Sequence, residues 1–308
     1  GCLTFRRNWQ GGDMSRGLVL GASGMAGHVI TIRLEELGHE VEGYAREHLT
    51  YCRTTVGNAK DMQALRQLVQ SGSYDYVVNA IGILNQDAEK RKTDAIYLNS
   101  LLPHALAEMT ENLPTRVIHI STDCVFGGNT GPYREDALPD GRMFYDRTKA
   151  LGELWDDKNL TIRTSIVGPD RRERGIGLFN WFMRQENEVQ GYKKVMWTGM
   201  TTVELAYAIH IVMKEKPVGL YHLVPDANIS KYELLKLFNR YMRADEVIIR
   251  ENTEIVLDKT LVRTKYDFSY RVPGYDAMIR DMSQWIREHR RLYPHYKEHF
   301  RGLQEGML

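Results

Sequence analysis

The chain has 308 residues, of which 43% are hydrophobic and 26% are charged, a composition typical of a globular protein and not of a disordered one. Lys and Arg total 41 against 40 for Asp and Glu, and this balance excludes a basic surface for nucleic acid or an anionic membrane. The three cysteines form no disulfide framework or zinc-binding spacing, and the longest apolar runs are far shorter than the roughly 18 residues of a membrane span. We therefore expect no metal site, no nucleic-acid partner and no membrane partner.

The first 13 residues precede Met14 and contain no apolar stretch of the kind found in a secretory signal. We interpret residues 1–13 as an expression remnant or a disordered extension. Because the chain shows no signal and few cysteines, the expected localisation is cytoplasmic.

Strands and helices alternate in the first half of the chain. Apolar runs predict strands at 18–20, 39–44, 74–79, 116–120 and 160–163, and helical spacing predicts helices at 25–37, 60–69, 88–110 and 144–155. Strands that are apolar throughout are buried on both faces, as in a parallel sheet covered by helices. The pattern predicts an α/β protein with a Rossmann-type doubly wound parallel sheet.

The pattern loosens after residue 168. Helices are predicted near 178–184, 203–213, 231–241 and 275–289, with short strands near 219–224 and 247–250. No repeat or low-complexity linker separates the two halves. We predict an NAD(P)-binding Rossmann domain with the catalytic residues at 14–168, and a smaller C-terminal lobe at 169–308 that mainly binds substrate.

A glycine-rich turn follows the first strand and opens the first helix, with the spacing Gly-x-x-Gly-x-x-Gly. Small residues let the backbone approach a pyrophosphate, and the helix N-terminus offers free N–H groups and the positive end of its dipole. This context favours a dinucleotide site over a turn that serves only close packing. The predicted cofactor-binding residues of the turn are Gly21, Ser23, Gly24, Met25 and Gly27.

The residue that distinguishes NADPH from NADH lies near the end of the second strand, about twenty residues after the glycine turn. Arg46 lies at this end, where a guanidinium can pair with a 2′-phosphate. Glu42 comes too early for an acidic residue that binds the ribose hydroxyls. The sequence therefore favours NADPH, with NADH as the alternative if Arg46 is only a surface arginine.

A tyrosine and a lysine four residues apart, Tyr145 and Lys149, share one face of a predicted helix. A nearby ammonium favours phenolate, so we expect Lys149 to lower the pKa of Tyr145 and let it exchange a proton. Thr122 comes just after the fourth strand, at the sheet edge where ligands bind. Its hydroxyl can hold the same substrate oxygen that Tyr145 protonates.

With these motifs the chain resembles the extended short-chain dehydrogenase/reductases, and among them the dTDP-4-dehydrorhamnose reductase-like group of sugar-nucleotide reductases, over about residues 14–289. The resemblance is carried by the glycine turn, Asn79-Ala80, the run Ile-Ser-Thr-Asp-Cys-Val-Phe-Gly at 120–127, Tyr145 with Lys149, and 163–168. It implies NADPH-dependent reduction of the C4 ketone of a nucleotide-linked 4-keto-6-deoxyhexose, in deoxysugar or surface polysaccharide biosynthesis. It also implies a homodimer.

The resemblance gives individual residues their roles. Tyr145 would donate the proton, Lys149 would hold the nicotinamide ribose and bias the tyrosine, and Thr122 would orient the carbonyl. Asn99 would lie nearer the nicotinamide half of the cofactor. Cofactor contacts outside the glycine turn are thus implied at Asn79, Ala80, Gly82, Asn99, Ser121, Tyr145 and Lys149.

The substrate side is implied less specifically. Cys124 and Phe126 follow Thr122 and would line the substrate pocket with it. Asn180 and Trp197 fall where the lobe that binds the sugar nucleotide lies in this family. A ring there can stack on the base, and the amide can bond the diphosphate or sugar, but core packing remains the alternative for any single Trp or Phe.

The same scaffold supports other reactions. Dehydratases of this class carry Asp-Glu after the threonine, whereas this chain has Asp123-Cys124, which counts against dehydration. In the epimerase-reductases that make GDP-fucose, a cysteine at this place works with a downstream histidine, but no histidine lies between Lys149 and His210. An epimerase/reductase that uses Cys124 stays an alternative, as does a regulatory NADP-binding subunit that resembles methionine adenosyltransferase β.

Overall fold

A computed structural model describes residues 14–82 and 84–296, so the interpretation of residues 1–13 and the end of the predicted C-terminal lobe lie outside the described residues. The first half contains β1 (Arg16–Leu20), α1 (Met25–Glu36), β2 (Glu40–Ala45), β3 (Arg53–Val56), α2 (Met62–Ser71), β4 (Tyr76–Asn79), α3 (Asn85–Lys90), α4 (Lys92–Ala95), a π-helical turn (Ile96–Leu101), α5 (Leu102–Met109), β5 (Arg116–Ser121), a 3₁₀ turn (Asp123–Val125), α6 (Phe144–Leu151), β6 (Leu160–Arg163) and β7 (Ser165–Val167).

The second half is built from shorter elements. It contains α7 (Leu178–Met183), β8 (Glu188–Tyr192), β9 (Val195–Trp197), β10 (Gly199–Thr201), α8 (Thr202–Glu215), β11 (Gly219–His222), β12 (Ile229–Ser230), α9 (Lys231–Met242), β13 (Ile248–Asn252), β14 (Leu257–Asp258), α10 (Tyr275–Glu288) and 3₁₀ turns at Arg290–Leu292 and Pro294–Tyr296.

Seven parallel strands form the central sheet, in the order β11-β6-β5-β4-β1-β2-β3. Side chains of β1 alternate between the two faces, as the pleat requires. Val19 packs in the cluster that contains residues of α1 and α8, whereas Leu18 and Leu20 pack in the cluster that contains residues of α2 and α5. All three are completely buried, so the predicted doubly wound sheet with helices on both faces is confirmed.

The second half of the chain is not a separate layer. β11 extends the sheet beside β6, and α8 packs against α1. The remaining elements form a smaller lobe with its own aromatic core, in which Phe179 packs edge-on against Phe238 at 5.1 Å between ring centroids. The predicted substrate lobe therefore shares the segment 202–222, which contains α8 and β11, with the central sheet and its helices.

Two helices differ from their predicted lengths. The predicted helix at 88–110 is interrupted at Arg91, whose φ of −120° is not helical, and continues as a π-helical turn before α5. The predicted helix at 144–155 ends at Leu151. Gly152 follows it because a Cβ there would lie only 1.9 Å from the Asn99 carbonyl oxygen. The π turn and this glycine bring α6 close to Asn99.

Several strands had no detectable sequence signal. β3 is a half-exposed edge strand with the sequence Arg-Thr-Thr-Val, which lacks an apolar run. β7, β9 and β10 have three residues each, and β12 and β14 have two. Strands of two or three residues are too short to show hydrophobic alternation, so only their pairing with neighbouring strands identifies them.

Candidate functional site

The glycine turn has the geometry that close approach of a phosphate requires. Gly21 has a φ of +77°, a left-handed conformation that disfavours other residues, and its N–H donates to the Tyr44 carbonyl at 3.1 Å. A Cβ on Gly27 would lie 1.8 Å from the Gly21 carbonyl oxygen. Gly24 is the N-cap of α1 without a capping side chain, so the first N–H groups of the helix face the turn.

Ser23 and Met25 lie at the mouth of this turn and are both half-buried. Met25 is the first residue of α1, and a Cβ on Gly177 would come within 2.8 Å of its sulfur. The loop before α7 therefore packs directly on the residue that opens the helix. This contact joins the smaller lobe to the candidate dinucleotide site.

Arg46 and Glu42 have different surroundings on β2. Arg46 follows the last residue of the strand, is exposed, and forms no ion pair with any described residue. Glu42 is buried in the middle of the strand, where it accepts a hydrogen bond from the Tyr74 hydroxyl at 2.9 Å. Its carboxylate also lies 3.6 Å from the Arg16 guanidinium. Glu42 is therefore occupied within the protein, which leaves Arg46 as the charged residue at the end of the strand.

Asn79 at the end of β4 shapes the neighbouring loop. Its side chain is completely buried and accepts a hydrogen bond from the Ile81 N–H at 3.2 Å. The Ala80 N–H donates to the Leu20 carbonyl at 3.0 Å, and a Cβ on Gly82 would lie 3.3 Å from the Asn99 Oδ1. The residues predicted to line the cofactor are thus brought to one edge of the sheet, with the Asn79 side chain turned into the protein.

The residues predicted to be catalytic converge at the end of β5. Thr122 directly follows β5 and precedes the 3₁₀ turn. Tyr145 and Lys149 lie four residues apart on one face of α6. The Thr122 side chain lies close enough to the Tyr145 hydroxyl to lower its pKa, and the Thr122 hydroxyl donates a hydrogen bond to the Asp123 carboxylate at 3.3 Å. The Lys149 ammonium donates to the Ile120 carbonyl at 2.9 Å, and a Cβ on Gly82 would lie 3.9 Å from it. The tyrosine and the lysine therefore lie between Thr122 and the sheet edge that carries the residues predicted to bind the cofactor.

Burial determines the protonation of this pair, and in the protein alone the pKa of Tyr145 is raised overall, not lowered as its spacing from Lys149 predicted. Burial, followed by the charge of Cys124, raises the pKa of Tyr145 above its ordinary value, against the lowering effect of the Thr122 side chain. Burial also lowers the pKa of Lys149 to about 8, although Glu153 opposes this shift. The phenol is therefore held protonated, as a proton donor must be.

Cys124 lies next to the pair but is not activated. Burial, with a smaller contribution from Asp123, raises the pKa of its thiol to about 11. Its N–H donates to the Thr122 Oγ1 at 3.1 Å, which helps to orient the threonine. Burial also raises the pKa of Asp146, and the charge of Lys259 partly offsets the shifts of both Cys124 and Asp146. A thiol with a raised pKa is a poor base at neutral pH.

Four predicted contacts need correction because their side chains are engaged inside the protein. Phe126 is fully buried, stacked on Tyr133 at 4.2 Å, and Trp197 packs in the core of the smaller lobe beside Tyr275. The Ser121 hydroxyl donates to Glu153 at 2.7 Å, so its side chain is turned away from the cofactor edge.

Asn180 is the fourth of these residues. It is fully buried, its Nδ2 lies within hydrogen-bonding distance of the carbonyls of Arg172, Glu173 and Gly175, and its Oδ1 accepts from the Tyr296 hydroxyl at 2.6 Å. A side chain with this set of partners holds the loop before α7. It has no group left for a diphosphate.

Two groups of polar residues that support the site were not predicted. Arg163, considered only as a strand residue, is completely buried, donates to Glu153 at 2.5 and 3.1 Å and lies 2.8 Å from the His222 Nε2. The Tyr51 hydroxyl donates to the Ala22 carbonyl of the glycine turn at 2.7 Å. Their partners are distant in the sequence, so no spacing rule could find them.

The described residues contain neither a metal-binding cluster nor a membrane-spanning helix. No group of three or more His, Cys, Asp or Glu side chains in the ranges 14–82 and 84–296 is arranged to hold a metal ion. Within the same ranges, no helix has the length and apolar character to cross a membrane.

The family profile described as the RmlD substrate binding domain matches residues 15–261. A dTDP-4-dehydrorhamnose reductase of Streptomyces griseus is 28% identical over 88% of this chain and 86% of its own. A spore coat polysaccharide biosynthesis protein of Bacillus subtilis is 27% identical over 80% of this chain and 86% of its own. Among solved structures, dTDP-4-dehydrorhamnose reductase from Bacillus anthracis in complex with NADP has the same fold, with a TM-score of 0.73 at 18% identity, over 88% of this chain and 99% of that one. The chain belongs to the RmlD substrate-binding domain family of the extended short-chain dehydrogenase/reductases, as the sequence motifs predicted.

Proposed function

We propose that this protein uses NADPH to reduce the C4 ketone of a nucleotide-linked 4-keto-6-deoxyhexose. The observation that carries the proposal is the convergence of the Thr122 and Tyr145 side chains beside the buried ammonium of Lys149, at the sheet edge that holds the glycine turn. Two hydroxyls that converge on one point bind a carbonyl oxygen well, because each can donate a hydrogen bond to it. The Streptomyces griseus relative, a dTDP-4-dehydrorhamnose reductase by name, belongs to this class of reaction.

The residues at the cofactor edge fit a dinucleotide phosphate. The tight contact between Gly21 and Gly27 keeps side chains off the backbone where a pyrophosphate would approach, and the N-terminus of α1 supplies N–H donors. Arg46 supplies an exposed guanidinium at the end of β2 for a 2′-phosphate. When bound, NADPH supplies the hydride.

The chain's own residues supply binding, orientation and the proton. Thr122 holds the carbonyl oxygen, and its hydroxyl is itself oriented by the Cys124 N–H. Tyr145 keeps its proton because burial raises its pKa, and it donates that proton to the oxygen as negative charge develops there. Lys149 places a positive charge beside the developing phenolate and stabilises it.

An epimerase that uses Cys124 as its base is less consistent with the site. A base must lose a proton at working pH, whereas burial raises the pKa of Cys124 to about 11. If this alternative held, solvent deuterium would enter the sugar ring next to the ketone. Full reductase activity of Cys124→Ser without such exchange would exclude it.

The test combines cofactor titration with a substrate panel. The purified protein is titrated with NADPH and NADH, and nucleotide-linked 4-keto-6-deoxysugars are then added while absorbance of the reduced nicotinamide is followed. Oxidation with one member of the panel supports the proposal and identifies the substrate. Tight NADPH binding without turnover on any member would contradict it and favour a regulatory NADP-binding subunit.

A further inference from the structure

A cavity of about 450 Å³ opens on the flank of α1, away from the catalytic residues. Its wall consists of Ile32 on α1, Tyr51 after β2, and the continuous segment 287–292 at the end of α10. Ile32 is seven residues after Met25, so the cavity begins about 10 Å along the helix from the glycine turn. Its volume is in the range of roughly 300–1,000 Å³ of pockets that hold small molecules.

The wall of this cavity carries a concentration of positive charge. Arg290 and Arg291 are exposed, and their guanidinium groups form no hydrogen bond or ion pair with any other described residue. Arg287 is anchored, since its guanidinium donates to the Tyr241 carbonyl at 2.6 Å and to the Ser283 Oγ at 3.1 Å. Glu288 is the one acidic residue of the wall.

His289 adds a further cation. Its Nδ1 lies 2.7 Å from the Trp285 carbonyl and its Nε2 contacts the Glu36 carboxylate, and because both partners are acceptors, both ring nitrogens carry hydrogen. Burial lowers the pKa of His289, but these two hydrogen bonds outweigh burial and raise it overall. Four cationic side chains thus face two carboxylates, those of Glu36 and Glu288.

Tyr51 connects this cavity to the dinucleotide site. Its ring forms part of the cavity wall, while its hydroxyl donates to the Ala22 carbonyl inside the glycine turn at 2.7 Å. Arg171 from the smaller lobe covers the same ring at 4.7 Å and donates to the hydroxyl at 3.2 Å. A ligand that presses on this ring therefore acts on a side chain that is bonded to the turn.

We propose that the cavity binds a small molecule bearing a di- or triphosphate, separate from the dinucleotide cofactor, and that Tyr51 couples its binding to that of the cofactor. Guanidinium groups bind phosphate through paired N–H donors, and Arg290 and Arg291 hold their donors free for this. The inference rests on the proposed function only in that the glycine turn holds NADPH. Coupling of this kind is reciprocal, so each ligand changes the affinity of the other by the same factor.

The test uses inorganic tripolyphosphate as the probe, titrated calorimetrically at constant ionic strength into the protein saturated with NADPH. We expect one saturable site per chain and an affinity at least about tenfold weaker in Arg290→Ala and Arg291→Ala. Arg280→Ala is the matched control, because Arg280 is an exposed arginine on α10 outside the cavity, and it should bind like the unchanged protein. Absence of saturable binding, or equal binding by all four proteins, would overturn the proposal.

The coupling is tested with Tyr51→Phe, which keeps the ring and removes the hydroxyl. We expect tripolyphosphate to change the Kd of NADPH in the unchanged protein and to leave it constant in Tyr51→Phe. If Arg290→Ala instead weakens NADPH more than NADH in the absence of tripolyphosphate, the cavity is part of the cofactor site and the separate ligand is excluded. Failure of the proposed function is distinguishable, since it appears as absence of NADPH binding or turnover before any anion is added.

Discussion

At the scale of a single residue, the proposed function depends on Tyr145 as the proton donor. It is almost completely buried, and burial raises its pKa and holds its hydroxyl protonated, against the lowering effect of Thr122. Lys149 is fully buried four residues later, and its contact with the Ile120 carbonyl fixes the position of its charge. Replacing the Tyr145 hydroxyl or the Lys149 ammonium should slow the proton transfer without unfolding this part of the protein.

The first prediction concerns the proton donor. In Tyr145→Phe we expect kcat to fall by about 10²–10⁴-fold, because the buried phenol beside Thr122 is gone, while the Kd of NADPH is unchanged. Steady-state kinetics and a fluorescence titration with NADPH measure the two quantities. Tyr192→Phe, on β8 in the smaller lobe, is the control. Normal turnover of Tyr145→Phe would refute the catalytic role.

A second prediction concerns pH. Lys149 is charged below its lowered pKa of about 8 and neutral above it. Since the charged ammonium stabilises the developing phenolate, kcat/KM should fall as pH rises through about 8. The pH dependence of kcat/KM reports the pKa values of the free enzyme. In Lys149→Arg, whose charge persists at every working pH, this limb should disappear from a pH profile. A profile that keeps the same limb in the variant would assign it to another group.

Arg46 gives a third prediction at this scale. Arg46→Ala should raise the Kd of NADPH by about 10–100-fold, the effect of losing a charge-assisted hydrogen bond, and should leave NADH nearly unchanged. The exposed Arg134 provides the control variant Arg134→Ala. Equal losses for both cofactors would mean that Arg46 does not contact a 2′-phosphate.

At the scale of elements, the site depends on how α1 begins. The left-handed conformation of Gly21 and the absence of a side chain at Gly27 let the turn and the helix touch. The π-helical turn at Ile96–Leu101 has a related effect, since it brings Asn99 to Gly82 and to α6. Helical irregularities of this kind are frequent at functional sites.

The fourth prediction tests the beginning of α1. Gly27→Ala places a methyl group where the Gly21 carbonyl oxygen lies, so the turn must open. We expect a loss of about 1–3 kcal/mol in the free energy of unfolding and a weaker affinity for NADPH. Gly274→Ala, at the start of α10 where a Cβ meets no atom within 4 Å, should change neither quantity. Urea unfolding and cofactor titration provide the comparison.

At the scale of the whole molecule, buried charges join segments that are far apart in the chain. Glu153 after α6 pairs with Arg163 on β6, which reaches His222 on β11. Glu135, from the loop after β5, accepts hydrogen bonds from the His222 N–H and from Thr264. This network ties β11, from the second half of the chain, to the strand end that carries Thr122.

The fifth prediction follows from this network. Removing one partner of a buried ion pair leaves the other charge unpaired, so Arg163→Met should lower the free energy of unfolding by about 3–5 kcal/mol. Chemical denaturation measures this loss. Arg134→Met replaces an exposed arginine and should change stability little. A double variant with Glu153→Gln should recover part of the loss, because it removes the unpaired carboxylate.

The fold was predictable because its signals are local. Apolar runs predict β1, β2, β4, β5 and β6 of the first half, and the longer helices between them have their own periodicity. The glycine turn and the Tyr145–Lys149 spacing are also local, and the structure brings both to the same edge of the sheet. The homodimer implied by the resemblance stays a prediction.

Long-range contacts decided the rest. The sequence by itself determined the doubly wound sheet and the family, and it predicted which residues meet at the candidate catalytic edge, because spacing along one strand or helix encodes them. Only the tertiary structure decided that Asn180 and Trp197 support the smaller lobe, that burial raises the pKa of Tyr145, and that Tyr51 reaches the glycine turn. Burial and hydrogen-bond partners depend on residues that are distant in the sequence, and composition or period does not carry that information.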